Sequence, residues 1–318
     1  MTDTAIISIQ PNHGALTTPT RISSEDAVRL WLAGYRSPNT RKAYAREMNQ
    51  FTEFIGGGAA TAVDYVLGLD DHQAHTLVDA YRASMLQRGQ SGATINRSMA
   101  ALNSFIRSAR RHGLTNLRLE AQSVKAERYR DTKGPGTGGI QKMLAVARGQ
   151  YNKTKAARDV AILRILFGLG LRRAELVACN LADLDIGGAT LAIIGKGESS
   201  KRSLSVPPAA MAAIAEWIRL RGDHQGPLFV SVDRPRQRLT GAGVYYLIRD
   251  MGKQIGIKTR PHGVRHAAIT AVLDATNGDM RKAQAFGRHA SASTTVTYDD
   301  NRQDLSGSAA RIIDALVD

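Results

Sequence analysis

Apolar side chains in the first third of the chain recur three or four positions apart, which predicts helices that each bury one face. The first helix is expected to follow Ser23-Ser24-Glu25-Asp26, a typical N-cap sequence, because an apolar stripe that includes Trp31 begins directly after it. Three more helices are expected after Ser37-Pro38, over residues 72–87 and over residues 93–112. We therefore predict an all-α domain of four helices at residues 23–117, after a loose tail at residues 1–22.

The pattern changes at residue 118, because residues 118–138 show almost no apolar periodicity. This segment carries Lys125, Arg128, Arg130 and Lys133 and runs into the glycine-rich sequence at residues 134–139. Basic, glycine-rich sequence of this kind is typical of a linker. Two interpretations are open: a solvated flexible joint, or a strap that lies along phosphates.

Residues 139–318 predict a second domain in which helices surround a small β-sheet. Apolar segments at residues 191–194 and 203–206 flank a polar turn, which favours a β-hairpin. Helices are expected at residues 139–149, 156–169, 173–180, 208–221, 240–254, 261–274, 279–286, 291–298 and 308–316. The amphipathic tail at residues 306–318 either packs on its own domain or docks into a neighbouring protomer. The predicted fold class is mainly α with a small β-sheet (α+β).

The formal net charge of +15 indicates a polyanionic partner, and nucleic acid is the first candidate. A membrane is disfavoured, because no apolar run approaches the roughly 20 residues that a spanning helix needs and no signal peptide is recognisable. We therefore expect a cytoplasmic, nucleoid-associated protein. Cys179 is the only cysteine, which excludes an internal disulfide and a cysteine-rich zinc site, and we expect it to be buried.

Residue types that suit phosphate chemistry occur in several short segments. Glu175 lies one helical turn from Arg172, and such a pair can hold a guanidinium in place. His262 and Arg265 are three residues apart at the expected start of a helix, where backbone amides favour an anion. Taken singly, these are equally compatible with a surface ion pair and a structural histidine. The remaining candidates are single residues: Lys196, His289 and Tyr298.

In combination these residues resemble the motif set of the tyrosine recombinases, also called the phage integrase family. That set is Arg, Lys, His-x-x-Arg, His and Tyr, and it occurs here in order as Arg172, Lys196, His262, Arg265, His289 and Tyr298. The 24-residue step from Arg172 to Lys196 and the nine-residue step from His289 to Tyr298 are similar to those of bacterial Xer-type members. Residues 37–54 and 91–105 also resemble the family's helical core-binding (SAM-like) domain. The resemblance covers about residues 23–300.

The resemblance implies a site-specific recombinase that cuts and rejoins DNA without metal, cofactor or ATP. Tyr298 would form a 3′-phosphotyrosine, while Arg172 and Arg265 neutralise the phosphate. His262 is assigned as the base, Lys196 as the acid for the leaving 5′ oxygen, and Glu175 as an orienting group. His289 can donate to the phosphate oxygens.

The resemblance also implies how the protein assembles on DNA. The core-binding domain and the catalytic domain at residues 139–318 would form a C-shaped clamp around double-stranded DNA. Four protomers would assemble on paired inverted half-sites, and a monomer is compatible with free solution. The expected DNA-contacting residues are Arg41, Lys42, Asn96, Arg97, Lys125, Arg128, Arg130, Lys133, Lys201, Arg202 and Tyr245.

Three features depart from the family pattern. Arg173 stands where relatives often carry an apolar residue. Glycines at residues 134–139 replace the short acidic segment that usually precedes the catalytic domain. Arg288 precedes His289 where many relatives have Leu-Gly-His. The role of Arg288 is not evident from the sequence. Two alternative functions stay open: a type IB topoisomerase and a DNA-binding protein without catalysis. Because residues 1–22 are too short for an arm-binding domain, we expect a Xer-like enzyme or a simple integrase.

Overall fold

A computed structural model of the protein describes residues 22–125, 134–195, 198, 200–234, 236–296, 298 and 305–316. The chain divides into two compact units, Met1–Arg128 and Tyr129–Asp318. Within the described residues, no helix is both long enough and apolar enough to span a membrane. Cys179 is buried as expected, and burial raises the pKa of its thiol to about 12.

The described part of the first unit contains five helices around a core that includes Trp31, Phe51, Tyr81 and Phe105. Polar side chains cap four of the helices by accepting a backbone N–H in the first turn, as Ser23 does from Asp26 and Ser37 from Thr40. The helices are α1 (Ser24–Ala33), α2 (Pro38–Ile55), α3 (Ala59–Leu67), α4 (Asp71–Gln87) and α5 (Gly92–Arg111).

The prediction of four helices in this unit was wrong, because α3 was missed. This helix has nine residues, and its N-cap, Gly58, contributes no side-chain hydrogen bond. A short helix without a capping side chain gives a weak sequence signal. Its stability comes from tertiary packing, since Val63, Val66 and Leu67 are buried in the core of the unit.

The described part of the expected linker is held against helices. The side-chain amide of Asn96 donates to the carbonyl of Val124 (2.9 Å) and accepts from its N–H (2.8 Å). Asn103 pairs with the backbone of Ala121 in the same way, at 3.1 and 2.8 Å. Residues 118–125 are therefore not a free joint, which corrects that interpretation. This backbone has no partners in a sheet or helix, and two asparagine side chains provide its hydrogen bonds instead. Residues 126–133 lie outside the described residues.

Nine helices and one three-stranded antiparallel sheet make up the described part of the second unit. The expected hairpin is confirmed, with Thr190 opposite Ser205 and Ile194 opposite Lys201. A two-residue strand, too short to be recognised in the sequence, pairs with the other edge of the hairpin's first strand. The strands are β1 (Leu184–Asp185), β2 (Thr190–Ile194) and β3 (Lys201–Ser205). A short 3-10 turn at Leu181–Asp183 precedes β1.

The core of the second unit includes the helix at Lys153–Gly168, whose residues Ile162, Leu163, Ile165 and Leu166 are fully buried. Most predicted helices are found within a few residues of their expected ends. The last two are Ala292–Val296, expected at 291–298, and Leu305–Asp314, expected at 308–316. The full set is α6 (Gly136–Arg148), α7 (Lys153–Gly168), α8 (Arg173–Ala178), α9 (Pro208–Arg221), α10 (Gly241–Gln254), α11 (Pro261–Ala275), α12 (Met280–Gly287), α13 (Ala292–Val296) and α14 (Leu305–Asp314).

The glycine cluster at residues 134–139 serves close packing, which corrects its interpretation as part of a linker. Helix α6 already begins at Gly136. A Cβ atom at Gly134 would lie 2.1 Å from the carbonyl oxygen of Gly263 in α11, and one at Gly139 would lie 2.7 Å from Cβ of Pro135. Glycine is therefore required where the start of α6 meets α11.

We expect Gly134→Ala to lower the free energy of unfolding of the second unit by about 1–3 kcal/mol, because its methyl group overlaps the Gly263 backbone. Gly138→Ala is the matched control. A Cβ there meets nothing within 4 Å, so alanine should leave stability unchanged or raise it by up to about 1 kcal/mol. Urea unfolding followed by Trp217 fluorescence, in a Trp31→Phe background, measures both. Equal stabilities would contradict the packing argument.

Candidate active site

Five of the six candidate catalytic residues converge in the second unit. Arg172 directly precedes α8, His262 and Arg265 lie in the first turns of α11, His289 follows α12, and Tyr298 follows α13. Lys196 lies outside the described residues. The first and last of these residues, Arg172 and Tyr298, are 126 positions apart in the sequence.

A tight turn after α7 supplies the carbonyl groups around which the arginines assemble. Gly170 adopts φ +54°, and a Cβ atom there would lie 2.7 Å from the ring of Phe286. The turn therefore requires glycine for its conformation and for its close approach to α12. The neighbouring Arg172 is partly buried whereas Arg173 is exposed, so the structure supports the choice of Arg172 as the site residue.

Glu175 is the only carboxylate among these described site residues, and it binds Arg172 twice. One oxygen accepts from the backbone N–H of Arg172 at 2.8 Å, and the other accepts from its guanidinium at 2.7 Å. Burial on its own raises the pKa of Glu175, but the hydrogen bonds from Arg172 and the charge of Arg288 outweigh it. The net pKa is lowered. An ionised Glu175 therefore fixes the direction of the Arg172 guanidinium, in agreement with an orienting role.

Arg265 is 2% exposed, and its guanidinium is held by backbone carbonyls. It donates to the carbonyl oxygens of Gly170 and Gly287. A third contact joins Nη2 to Nε2 of His289 at 3.0 Å. Burial, followed by the charges of Arg172 and Arg288, lowers the pKa of Arg265 to about 10, so it remains charged at neutral pH.

The contacts of His289 define which of its ring nitrogens carries the proton. A guanidinium can only donate, so Nε2 must accept from Arg265, and Nδ1–H then donates to Oγ1 of Thr295 at 2.9 Å. Burial, and then the charges of Arg265, Arg172 and Arg288, lower the pKa of His289 to about 4. The imidazole is therefore neutral at pH 7. Thr295, which is fully buried, was not identified from the sequence.

The ring of Tyr298 lies between two imidazoles. Its centroid is 4.7 Å from that of His266 and 5.1 Å from that of His289, with interplanar angles of 29° and 27°. The ring of His262 is 6.5 Å away at 61°. His266 was not identified as a site residue from the sequence. The sequence signal for it is its position in the second turn of α11, one residue after Arg265.

Two family models cover most of the chain. Residues 139–304 match the phage integrase family, and residues 28–113 match the SAM-like N-terminal domain of phage integrases. The chain belongs to the phage integrase family. The predicted membership is confirmed, as are the mainly helical α+β fold and the identification as a tyrosine recombinase enzyme.

Similar proteins carry the same family name. A tyrosine recombinase of Synechococcus elongatus is 38% identical over 294 residues, which cover 89% of this chain and 91% of the relative. One of Synechocystis sp. is 37% identical over 314 residues, covering 95% and 99%. Among solved structures, a complex of the Tn1549 transposon integrase with circular-intermediate DNA gives a TM-score of 0.69 at 16% identity, covering 91% of this chain and 98% of that one. XerH bound to a difH substrate gives 0.67 at 19%, covering 90% and 84%.

The residues expected to contact DNA in this phage integrase family member lie in different environments. Arg41, Lys42 and Lys125 are exposed. Both polar atoms of the Asn96 side chain bind the Val124 backbone, and Arg97 forms an ion pair with the buried Glu47 at 2.8 Å. Neither Asn96 nor Arg97 is therefore freely available for base contacts in this conformation.

In the second unit, the expected contact residues are partly engaged with acidic and aromatic neighbours. Lys201 forms an ion pair with Asp183, and Arg202 with Glu198 at 3.2 Å. Tyr245 is half-buried beside Tyr246. Three of the expected residues lie outside the described residues: Arg128, Arg130 and Lys133.

The structure also reveals a basic surface that the sequence analysis missed. Arg107, Arg110 and Arg111 line one shallow hollow together with Ser104, Thr115 and Asn116. The three arginines are exposed and occupy positions i, i+3 and i+4 of α5, so they share one helix face. That spacing was present in the sequence and is the signal that could have identified them. In the described parts of the chain, no three His, Cys, Asp or Glu side chains form a group suited to a metal ion.

Thr295→Val should slow covalent attachment to DNA about tenfold, because valine cannot accept the Nδ1–H of His289 and leaves this buried donor unpaired. Thr295→Ser should retain most of the rate, since it keeps the hydroxyl. The measurement is the single-turnover rate on a nicked substrate at saturating protein. Thr294→Val, at the exposed neighbouring position, is the control. Equal rates for Thr295→Val and Thr295→Ser would exclude this role of the hydroxyl.

Proposed function

We propose that the chain is a site-specific DNA recombinase that cuts and rejoins strands through a covalent link between Tyr298 and a 3′ phosphate. The observation that carries the proposal is the joining of Arg172, Arg265, His262 and His289 into one cluster with the ring of Tyr298. Two guanidiniums and two neutral imidazoles next to a phenol are the groups that attack on a phosphodiester requires.

The chemistry begins with attack of the Tyr298 oxygen on phosphorus. We assign its proton to His262, whose pKa is lowered by burial and then by Arg265, Arg260 and Arg172. A neutral His262 is able to accept a proton at pH 7. The bond from phosphorus to the 5′ oxygen breaks, and Lys196 protonates that oxygen. Rejoining reverses the step: a 5′ hydroxyl attacks the phosphotyrosine and Tyr298 leaves with its proton restored.

The guanidiniums of Arg172 and Arg265 act on the phosphate itself. Arg172 retains solvent access, with its side chain 31% exposed, while Arg265 is buried and held by carbonyls. Charge that grows on the non-bridging oxygens during attack is stabilised by donors whose direction is already fixed. We assign the electrophilic role to this pair.

Several finer points of the function are proposals on the same basis. The substrate is double-stranded DNA with paired inverted half-sites, and four protomers act together on two such sites. Residues 23–117 form the core-binding domain and residues 139–318 the catalytic domain. Of the basic linker predicted at residues 118–138, residues 134–138 pack with the catalytic domain. Ile313 on α14 is 63% exposed, and Leu316, two residues beyond the end of this helix, is 75% exposed. These exposed apolar side chains support docking of the tail at residues 306–318 into a neighbouring protomer.

We propose that the arginine surface on α5 binds the DNA backbone with Arg41 and Lys42. These two residues lie on α2, which packs against α5. Exposed arginines on one helix face can bind phosphates, but such contacts do not distinguish one base sequence from another. Further DNA contacts are proposed at Lys125, Arg128, Arg130, Lys133, Lys201, Arg202 and Tyr245.

Tyr298→Phe should abolish covalent attachment and leave specific DNA binding within about twofold, because only the attacking oxygen is removed. A nicked suicide substrate traps the covalent complex, which denaturing gel electrophoresis detects. A covalent complex in the variant would identify another nucleophile, such as Tyr245 or Tyr246.

The same assay with excess EDTA tests the proposed freedom from metal, and loss of cleavage by the unmodified protein would contradict it.

A partner duplex with a free 5′ hydroxyl distinguishes a recombinase from the two alternative functions. A recombinase cuts at a defined sequence and joins the two partners, whereas a type IB topoisomerase relaxes supercoiled DNA without paired sites. A protein that only binds DNA forms no covalent complex.

The triple change Arg107→Gln, Arg110→Gln and Arg111→Gln should weaken DNA binding similarly for all sequences. It should also reduce the slope of log K against log salt by about 0.9 for each phosphate that the variant no longer neutralises. Titrations by fluorescence anisotropy at several salt concentrations provide the measurement. Arg219→Gln is the control, because this exposed arginine is paired with Glu216 at 2.8 Å. An unchanged salt slope in the triple variant would place the DNA elsewhere.

A further inference from the structure

Arg288 occupies a backbone conformation that disfavours arginine. It ends α12 with φ 52° and ψ 49°, in the left-handed region that glycine adopts most readily. In the described residues only three other non-glycine residues have positive φ, and they are Ala189, Asn277 and Arg236. A non-glycine residue in this conformation is strained, so the contacts of its side chain must stabilise it there.

The contacts of Arg288 are directed to the turn between α7 and α8. Its Nη1 donates to the carbonyls of Leu169 at 2.8 Å and Phe286 at 3.0 Å. Its Nη2 donates to the carbonyl of Gly170 at 2.9 Å and to the carboxylate of Glu175 at 3.1 Å. One guanidinium thus ties α12 to both ends of the Gly170–Glu175 segment.

Each acceptor of Arg288 in that segment also holds an arginine of the cluster. The Gly170 carbonyl accepts from Arg265, and Glu175 accepts from Arg172. The backbone carbonyl of Arg288 accepts from Nη2 of Arg172 at 3.3 Å. Arg288 is therefore connected to both guanidiniums that are assigned to the phosphate.

We propose that Arg288 is a positioning residue that aligns Arg172 through Glu175 and Arg265 through the Gly170 carbonyl. This inference rests on the proposed function of those two arginines. Arg288 does not bind the phosphate itself, because all four N–H groups on its two terminal nitrogens donate to protein acceptors and its Nε is buried. The proposal predicts an effect on the chemical step rather than on DNA affinity.

The first experiment separates the backbone from the guanidinium. Arg288→Gly suits the left-handed conformation, so any loss of rate it causes comes from the missing side chain. We expect the single-turnover rate of covalent attachment at saturating protein to fall about 10- to 100-fold, with DNA affinity changed less than about threefold. Arg288→Lys keeps the charge but not the planar fork, and should recover part of the rate.

Arg221 provides a matched control for the removal of a buried arginine. It is 8% exposed and donates to the carbonyls of Gly222, His224 and Pro227, away from the cluster. Arg221→Gln should lower the urea midpoint without slowing covalent attachment. If Arg288→Gly and Arg221→Gln affect stability alike and neither slows attachment, Arg288 has only a structural role and the proposal fails.

A double-mutant cycle with Glu175→Gln tests the route of action. If Arg288 acts through Glu175, Arg288→Gln should slow attachment about tenfold or more in the unmodified protein and much less in the Glu175→Gln background. Equal effects in both backgrounds would overturn this connection. These outcomes are distinct from failure of the proposed function, which would appear as no covalent complex in the unmodified protein or as its persistence in Tyr298→Phe.

Discussion

The candidate active site depends on one buried carboxylate that holds cationic groups together. Glu175 and Arg265 are 4% and 2% exposed, and burial of unpaired charges would cost several kcal/mol each. Glu175 binds Arg172 and Arg288, and the Gly170 carbonyl binds Arg265 and Arg288. These acceptors offset the repulsion between the guanidiniums, so the positive cluster exists before a phosphate arrives.

The same concentration of positive charge determines the protonation of the histidines. Burial and the neighbouring arginines lower the pKa of both His262 and His289, so each ring is neutral near pH 7. A neutral imidazole carries one proton and one lone pair, which makes it able to accept a proton as well as to donate one. The cluster thus combines the permanent charge of its arginines with a neutral His262, while both ring nitrogens of His289 are engaged by Arg265 and Thr295.

The sequence predicted the parts of the molecule that local chemistry determines. Capped amphipathic helices such as α2, the β2–β3 hairpin and the order of the motif residues were all recognisable. The sequence did not reveal α3, which lacks a capping side chain, or the close contact of Gly134 with Gly263. Arg288 was noticed without a role, because its partners Leu169, Gly170 and Glu175 lie 113 to 119 positions away along the chain. Thr295 was missed although its partner, His289, lies only six residues before it.

Arg265 shows why a site assembled in this way is ready for substrate. A guanidinium has five N–H donors, and the contacts to Gly170, Gly287 and His289 use three of them. The two others are one N–H on Nη1 and the N–H of Nε. Either can donate to a phosphate oxygen without displacing a carbonyl. Because folding has already oriented the Arg265 guanidinium, binding energy is not needed to orient it. That energy is available to stabilise the transition state.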